Sequence, residues 1–378
     1  MRVDPLLSLR LARLRSQLLT DETRMGADPA AIARAVCALQ AQSFDAARHQ
    51  LRVRGTGITP ATVDAAFGHE RTVVRTWLMR GTLHLCAADD ARWLVDTLGP
   101  VIDRFGASRR RNLGLDDATC ARGVALIRKA LADGPMARRE LRKRLVSGGV
   151  LEEPVGQALI HLLFHAAAIG VICCGPRMRS DDSFVLFDDW VAESDGPLGD
   201  DALAALARRY LVAYGPASAA DFAAWSGLRI TVARAAMAGI AAELVEFPGP
   251  MRDLWTLGPI AGDVETTQPV VRLLGHFDTF LLGYRLRDHM GDGAAERWIH
   301  DGGGGWIRPV ICVDGWIVGG WRLDQRPAAI DVTIMPFNRL PKRADPGINR
   351  EVAAIGSFME RPARWTSGPL VGFNSPPT

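Results

Sequence analysis

The sequence predicts a mainly α-helical protein with β wings, made of three tandem winged helix-turn-helix units and a C-terminal β-rich, barrel-like domain. Two observations predict this class. A pattern of three helices and a strand pair occurs twice around a shared Gly-Pro, and the chain becomes rich in Gly, Pro and β-branched residues from about Thr267. We therefore expect the unit boundaries at residues 1–115, 116–196, 197–266 and 267–378.

Length and composition indicate a globular chain. Its 378 residues are 48% hydrophobic and 23% charged, and no run of about 18 apolar residues or signal-peptide core is present. We expect a cytoplasmic monomer. The net charge of +3 is too small to identify a DNA-binding protein. Arginine greatly outnumbers lysine, and its guanidinium suits phosphate contacts, but codon bias could produce the same ratio.

The two copies of the repeat support the winged-helix interpretation. Around Gly134-Pro135 we predict helices at 118–131, 138–145 and 155–168 and strands at 171–173 and 184–186. Around Gly215-Pro216 we predict helices at 202–212, 219–225 and 231–242 and strands at 244–247 and 254–257. Three helices followed by a hairpin form the winged variant of helix-turn-helix, and recurrence makes a chance pattern less probable.

The N-terminal third contains a helix that begins after Asp28 and is predicted to reach Gln42. Ile32 marks its apolar face, and at about 100° per residue Gln40 and Gln42 lie about 80° to either side of that face. Two boundary glutamines bonded to backbone are one interpretation. The other is that the end of the helix directs both amides into a site.

The wing of the N-terminal unit is predicted from strand-like runs at 73–79 and 82–86 around Arg80-Gly81, before a helix at 91–98. Alternation places Thr82 and His84 on one face, pointing away from the core. Together with Arg75 and Arg80 they are candidate contacts to a DNA backbone or minor groove. The alternative is a solvated face with a histidine bonded to a neighbour.

A basic cluster that includes Arg138 and Arg139 gives two further candidate DNA contacts, although most such runs are solvated helix faces. No metal site is expected, because the pair His161 and His165 lacks the glutamate of a zinc-protease motif. No nucleotide cofactor is expected either, because phosphate-binding glycine loops are absent. In the C-terminal domain, Asp314-Gly315 predicts a hairpin.

Several motifs resemble those of the AlkZ-like and YcaQ-like DNA glycosylases. They are Leu39-Gln40-Ala41-Gln42, Arg80-Gly81-Thr82-Leu83-His84, Trp225-Ser226-Gly227-Leu228, Phe277-Asp278 and Gly319-Gly320-Trp321-Arg322. The resemblance implies three winged-helix units around a C-shaped cleft, a C-terminal β-barrel and a catalytic Gln-Xaa-Gln motif. Gln40 and Gln42 match that motif. Glutamine, not aspartate, at the second position implies the branch that removes bulky adducts and crosslinks.

The resemblance implies a monofunctional enzyme whose substrate is double-stranded DNA carrying purines alkylated at N7 of guanine or N3 of adenine. Such an enzyme would act in DNA repair or in self-resistance to a genotoxic natural product. The alternative function is a non-catalytic winged-helix transcription regulator, because one fold hosts both roles. A third possibility is a lesion-binding protein that does not turn over.

Overall fold

The N-terminal helices begin at the residues that their capping side chains predict. The computed structural model describes residues 4–179, 181–193, 196–249, 251–258 and 268–369. Helix α1 (Pro5–Ser16) follows Asp4, and helix α2 (Pro29–Ala35) follows Asp28. Each aspartate accepts hydrogen bonds from backbone amides of the first turn, where a proline stands at the start of the helix.

Helix α2 ends seven residues before Gln42, so the prediction of a helix through Gln40 and Gln42 is wrong. Cys37 and Ala38 follow with φ of 52° and 94°, in the left-handed region that non-glycine residues rarely adopt. These two residues reverse the chain into a short strand, β1 (Leu39–Gln40). The two glutamines therefore do not lie on a helix.

The rest of the N-terminal part contains α3 (Phe44–Arg54), α4 (Pro60–Asp64), β2 (Val73–Trp77), β3 (Leu83–Ala87) and α5 (Ala88–Asn112). The hairpin predicted around Arg80-Gly81 is present as β2 and β3, joined by a 3-10 turn at Met79–Gly81. Helix α5 continues well beyond residue 98, the predicted end.

The segment around the first Gly-Pro contains α6 (Asp117–Leu131), β4 (Met136–Ala137), α7 (Arg138–Ser147), α8 (Ala158–Ala168), β5 (Ile172–Met178), β6 (Asp181–Leu186) and α9 (Phe187–Trp190). The segment around the second Gly-Pro contains α10 (Gly199–Tyr214), α11 (Ala219–Ser226), α12 (Ile230–Ala238), β7 (Leu244–Glu246) and β8 (Trp255–Leu257). In both segments three helices precede an antiparallel hairpin, in the predicted order.

The C-terminal part contains β9 (Val271–Leu274), α13 (Thr279–Leu282), α14 (Gly293–His300), β10 (Val310–Val313), β11 (Trp316–Gln325), β12 (Ile330–Pro336), α15 (Asp345–Phe358) and β13 (Ala363–Ser367). Strands β10 and β11 confirm the hairpin at Asp314-Gly315. The sheet order is β13-β12-β11-β10-β9, with the two end strands unpaired to each other. The expected barrel is therefore wrong for the described residues, which form an open sheet.

A six-stranded sheet with the order β1-β3-β2-β5-β6-β4 places β1 at one edge. Strands β2 and β5 pair at Arg75 and Cys174, which joins the N-terminal hairpin to the hairpin of the following segment. The result is a mixed α/β fold with more helix than strand. Among the described helices, none is long and apolar enough to cross a membrane.

Candidate active site

The Gln-Ala-Gln motif lies at the edge of the six-stranded sheet. Gln40 is opposite His84 on β3, and the amide of Ala41 donates to the carbonyl of Leu83 across 2.7 Å. Gln40 is buried, with 6% of its surface exposed, whereas Gln42 is solvent-exposed. The motif therefore begins inside the protein and ends at its surface.

The side-chain carbonyl oxygen of each glutamine is bonded to the protein. Nη2 of Arg80 donates to Oε1 of Gln40 across 2.8 Å, and the backbone amide of Leu83 donates to Oε1 of Gln42 across 3.2 Å. Because both donors can only donate, these contacts define which end of each amide is oxygen. Each oxygen keeps a second lone pair, and neither NH₂ group has a hydrogen-bond acceptor within the described part of the chain.

The backbone carbonyl oxygens of the motif are also held by side chains. Nε2 of Gln50 donates to Gln40 across 2.7 Å, Nε of Arg75 donates to Ala41 across 2.9 Å, and Nη2 of Arg75 donates to Gln42 across 3.4 Å. Three consecutive peptide groups are thus fixed from the protein side. Such an arrangement orients the two amides before any ligand arrives.

Arg75 and His84, predicted to lie on an open polar face of the wing, are 3% and 1% exposed, so that expectation is wrong. Strand β5 lies beside β2, which leaves the hairpin inside a larger sheet. Arg75 forms an ion pair with Asp182 of β6 at 3.0 Å, and its other nitrogens bond the motif. This buried guanidinium supports the motif from within the protein.

His84 is neutral at physiological pH. Burial, and to a smaller extent the charge of Arg80, lower the pKa of His84 to about 3. Nδ1 lies 2.9 Å from the carbonyl oxygen of Thr82, which can only accept, so Nδ1 carries the proton and Nε2 the lone pair. Thr82 is half-buried at the turn and donates its hydroxyl to the carbonyl of Met79.

Arg80 lies at the tip of the N-terminal hairpin, which is packed against the segment around Gly215-Pro216. Its φ is 58°, and its backbone lies so close to Gly227 that a β-carbon there would be 3.1 Å from the Arg80 Cα. Nη1 of Arg80 donates to the carbonyl of Trp225. Arg80 therefore bridges the motif and the end of α11, and is half-buried instead of projecting freely.

The remaining candidates lie apart from this group. Arg138 and Arg139 begin α7, with side chains 49% and 60% exposed. The carboxylate of Asp181 lies 3.5 Å from Nε of Arg138 and accepts a hydrogen bond from the backbone amide of Arg139 at 3.1 Å. The structure thus brings Gln40, Gln42, Arg75, Arg80, Thr82 and His84 together, and places this arginine pair on a separate exposed surface.

Sequence reasoning missed Gln50 and Asp182, the side chains that support the motif. A signal for Gln50 exists in helix α3. Ala47, Gln50, Leu51 and Arg54 follow the i, i+3, i+4, i+7 spacing of one buried face, and two of the four are polar. Polar residues at core positions require buried partners, so this spacing predicts a hydrogen-bond network. Asp182 has no comparable local signal.

Comparisons with known proteins agree with this architecture. The sequence model of a family described as DNA glycosylase AlkZ-like matches residues 33–358. An interstrand DNA cross-link repair glycosylase of Streptomyces sahachiroi is 27% identical over 356 residues, which cover 91% of this chain and 93% of that protein. The solved structure of Streptomyces sahachiroi DNA glycosylase AlkZ superposes with a TM-score of 0.75 at 25% identity, covering 97% of this chain and 100% of that one. Because the family match spans most of the sequence, this chain belongs to the AlkZ-like family of DNA glycosylases, which are enzymes of DNA repair.

Proposed function

We propose that this enzyme hydrolyses the N-glycosidic bond of purines alkylated at N7 of guanine or N3 of adenine, including bulky adducts and interstrand crosslinks. Gln40 and Gln42 position the attacking water. The observation that carries the proposal is the fixed pair of neutral amides, each held through its carbonyl oxygen at 2.8 Å and 3.2 Å. The name of the Streptomyces relative, a cross-link repair glycosylase, supports the substrate class.

The chemistry of the lesion suits such a site. Alkylation makes the purine cationic, so the base leaves without a general acid and the sugar passes through an oxocarbenium-like state. Each glutamine still offers two N–H donors and one lone pair on its oxygen, which are enough to orient a water molecule. The water oxygen bonds to C1′ of the sugar as the C1′–N bond breaks, the alkylated purine leaves as a neutral base, and the proton of the water passes to the solvent. A neutral amide is a very weak base. An unmodified base is a poor leaving group and would need an acid or a strong base to be released, so this site should be selective for cationic, alkylated purines.

We further propose that the enzyme is a monofunctional glycosylase that binds duplex DNA through three winged-helix units. Each proposed unit contains a run of helices followed by a hairpin: α2 to α4 with β2–β3, α6 to α8 with β5–β6, and α10 to α12 with β7–β8. A strand-cleaving glycosylase needs an amine nucleophile. The three lysines, Lys129, Lys143 and Lys342, lie on α6, on α7 and in the 3-10 turn before α15, which are different elements from the strand that carries Gln40.

The transcription-regulator alternative explains the winged helices but not the motif. A regulator needs phosphate and base contacts, and nothing in that task requires an edge strand whose peptide carbonyls and side-chain amides are all held in place. Membership in a glycosylase family also favours the enzyme. A lesion-binding protein without turnover would release no free base under any condition, which separates it from the enzyme.

The test is release of N7-methylguanine from a defined duplex under single-turnover conditions, where product release cannot mask the chemical step. A hydrogen bond aimed at the transition state contributes about 10²-fold or more, so Gln40→Ala and Gln42→Ala should each slow release by that order. The double variant should be little worse than the worse single variant, because the two residues act as a unit. Full activity of the double variant would end the catalytic assignment.

Stability controls differ for the two positions. Gln42 is exposed but accepts a hydrogen bond from the Leu83 amide, so Gln42→Ala should change the free energy of unfolding by about 0.5–1.5 kcal/mol. Gln40 is buried and bonded to Arg80, so Gln40→Ala should cost about 1–3 kcal/mol. Gln157, at the N-terminus of α8, is the matched control. Its side-chain carbonyl oxygen accepts a hydrogen bond from Arg109, which is outside the motif. The Gln157→Ala enzyme should therefore release the base at the same rate as the parent enzyme.

The same assay with a panel of duplexes identifies the lesion. Equal amounts of DNA carrying a small N7-methyl adduct, a bulky N7 adduct and an N7–N7 interstrand crosslink should all lose the modified base. Excision restricted to the methyl adduct would remove the bulky and crosslinked lesions from the proposal and leave the rest intact.

A further inference from the structure

Gln50 lies between the motif and the C-terminal part of the chain. It belongs to α3 and is fully buried. Its Nε2 donates to the backbone carbonyl oxygen of Gln40 at 2.7 Å, and its Oε1 accepts from the backbone amide of Thr279 at 3.1 Å. Both ends of one side-chain amide are thus committed, one to the motif and the other to the start of α13.

The Gln40 carbonyl has no strand to bond on its outer side. Because the Ala41 amide donates to Leu83, Gln40 and His84 form the pair that lies between ladder hydrogen bonds. The peptide carbonyl of such a residue points away from the partner strand, towards the open edge of the sheet. Gln50 occupies the place that another strand would take.

The other end of Gln50 is attached to a rigid group. Arg54 bonds both carboxylate oxygens of Asp278, at 2.9 Å and 2.7 Å, and both residues are fully buried. Asp278 also accepts a hydrogen bond from the backbone amide of Phe280 at 2.9 Å and so caps the first turn of α13. The Thr279 amide is therefore a fixed reference point, held by a buried bidentate ion pair.

We infer that Gln50 is a positioning residue for Gln40, which transmits the position of the C-terminal part of the chain to the catalytic strand. This inference rests on the proposed function of Gln40. Strand β1 is two residues long, so few backbone bonds restrain its edge. Without the donor of Gln50, the Gln40 peptide can rotate about the strand axis, and the side-chain amide moves with it. Displacements near 1 Å are enough to reduce catalysis by about 10²-fold.

The central experiment compares Gln50→Met with Gln17→Met. Both glutamines are fully buried and close to Arg54, and methionine has nearly the same volume without the amide. Of the two glutamines, Gln50 is the one that donates a hydrogen bond to the motif. Gln17 bonds the Thr279 hydroxyl, and in Gln17→Met the start of α13 is still held by the ion pair of Arg54 and Asp278. We expect both variants to lose a similar amount of thermal stability. Gln50→Met should slow release of N7-methylguanine by about tenfold or more, whereas Gln17→Met should stay within about twofold of the parent. The dissociation constant for the duplex should change little in either variant.

Gln50→Asn is the second variant, for the case in which Gln50→Met does not fold. Asparagine keeps the amide but is one methylene shorter, so it cannot bond the Gln40 carbonyl and the Thr279 amide at the same time, and base release should again slow while binding persists. Equal slowing by Gln50→Met and Gln17→Met would overturn the inference, because loss of stability would then explain both. Unchanged release in Gln50→Asn would overturn it as well.

A double-mutant cycle separates this inference from the proposed function. If Gln50 acts through Gln40, the effect of Gln50→Met should largely disappear in the Gln40→Ala background. An undiminished effect there would show that Gln50 acts by another route and would overturn the inference alone. Full activity of Gln40→Ala by itself would instead overturn the catalytic role proposed for Gln40.

Discussion

Arg80 donates a hydrogen bond from Nη2 to Oε1 of Gln40 across 2.8 Å, and its Nη1 donates to the carbonyl of Trp225. The guanidinium of Arg80 thus joins the first glutamine of the motif to the end of α11, in the segment around Gly215-Pro216. A cation bonded to the carbonyl oxygen also polarises the amide, so the N–H groups of Gln40 become stronger donors. This relationship favours a role for Arg80 in orienting Gln40 over the predicted contact with the DNA backbone.

The first prediction concerns Arg80→Lys. Lysine keeps the charge, but a single ammonium lacks the planar fork that reaches two acceptors at once. We expect release of N7-methylguanine to slow by about tenfold or more, because the Gln40 amide loses its orientation. The dissociation constant for the duplex should change by less than about threefold, since both terminal nitrogens of Arg80 bond protein oxygens and not a phosphate. A large loss of affinity at an unchanged rate of release would instead make Arg80 a DNA contact.

Much of the fold was predictable because local signals agree with tertiary packing. Asp28 caps a helix whose first residue is proline, and the turn at Asp314-Gly315 joins two strands as predicted. The two Gly-Pro segments also have their predicted order of helices and strands. In these places the capping residue, the turn residues and the apolar spacing all favour the same structure.

The surroundings of the motif were not predictable, because contacts distant in sequence determine them. No glycine or proline marks the end of α2, and Cys37 and Ala38 adopt positive φ under the constraints of packing. The burial of Arg75 depends on Asp182, 107 residues away, and that of Arg80 on Trp225, 145 residues away. Alternation along one strand identifies which residues share a face but does not reveal what covers that face.

The second prediction concerns DNA binding by Arg138 and Arg139 at the start of α7. Both side chains are about half exposed, and they lie at a helix N-terminus, where phosphates bind well. Replacing both by alanine should weaken duplex binding and reduce the slope of log K against log salt by about two, one for each phosphate contact. Affinity measured by fluorescence anisotropy between about 50 and 200 mM salt provides the slope.

Asp181 provides a control of opposite sign. Its carboxylate contacts Arg138 and the backbone amide of Arg139, so it competes with a phosphate for the same donors. Asp181→Asn should therefore strengthen duplex binding. A double arginine variant with the parent slope would exclude this surface from the DNA interface.

The third prediction is a stability change in acid that depends on His84. Its pKa is lowered to about 3 in the folded protein, mainly by burial, whereas the value in an unfolded chain is about 6.5. Between these values unfolding takes up one proton, because the unfolded histidine is charged and the folded one is neutral. The contribution of neutral His84 to the free energy of unfolding is therefore fully present above pH 6.5. It falls as the pH decreases towards 3, by up to about 1.4 kcal/mol per pH unit.

His84→Gln removes this proton uptake. The variant loses stability at every pH, because the bond to Thr82 is altered, but its stability should depend less steeply on pH than that of the parent. Urea unfolding between pH 7 and pH 5 measures both slopes. His49→Gln should behave in the same way, since burial also lowers the pKa of His49 to about 3. If His84→Gln retained the parent slope, His84 would have to be charged in the folded protein, and a neutral imidazole beside Gln40 and Arg80 would be excluded.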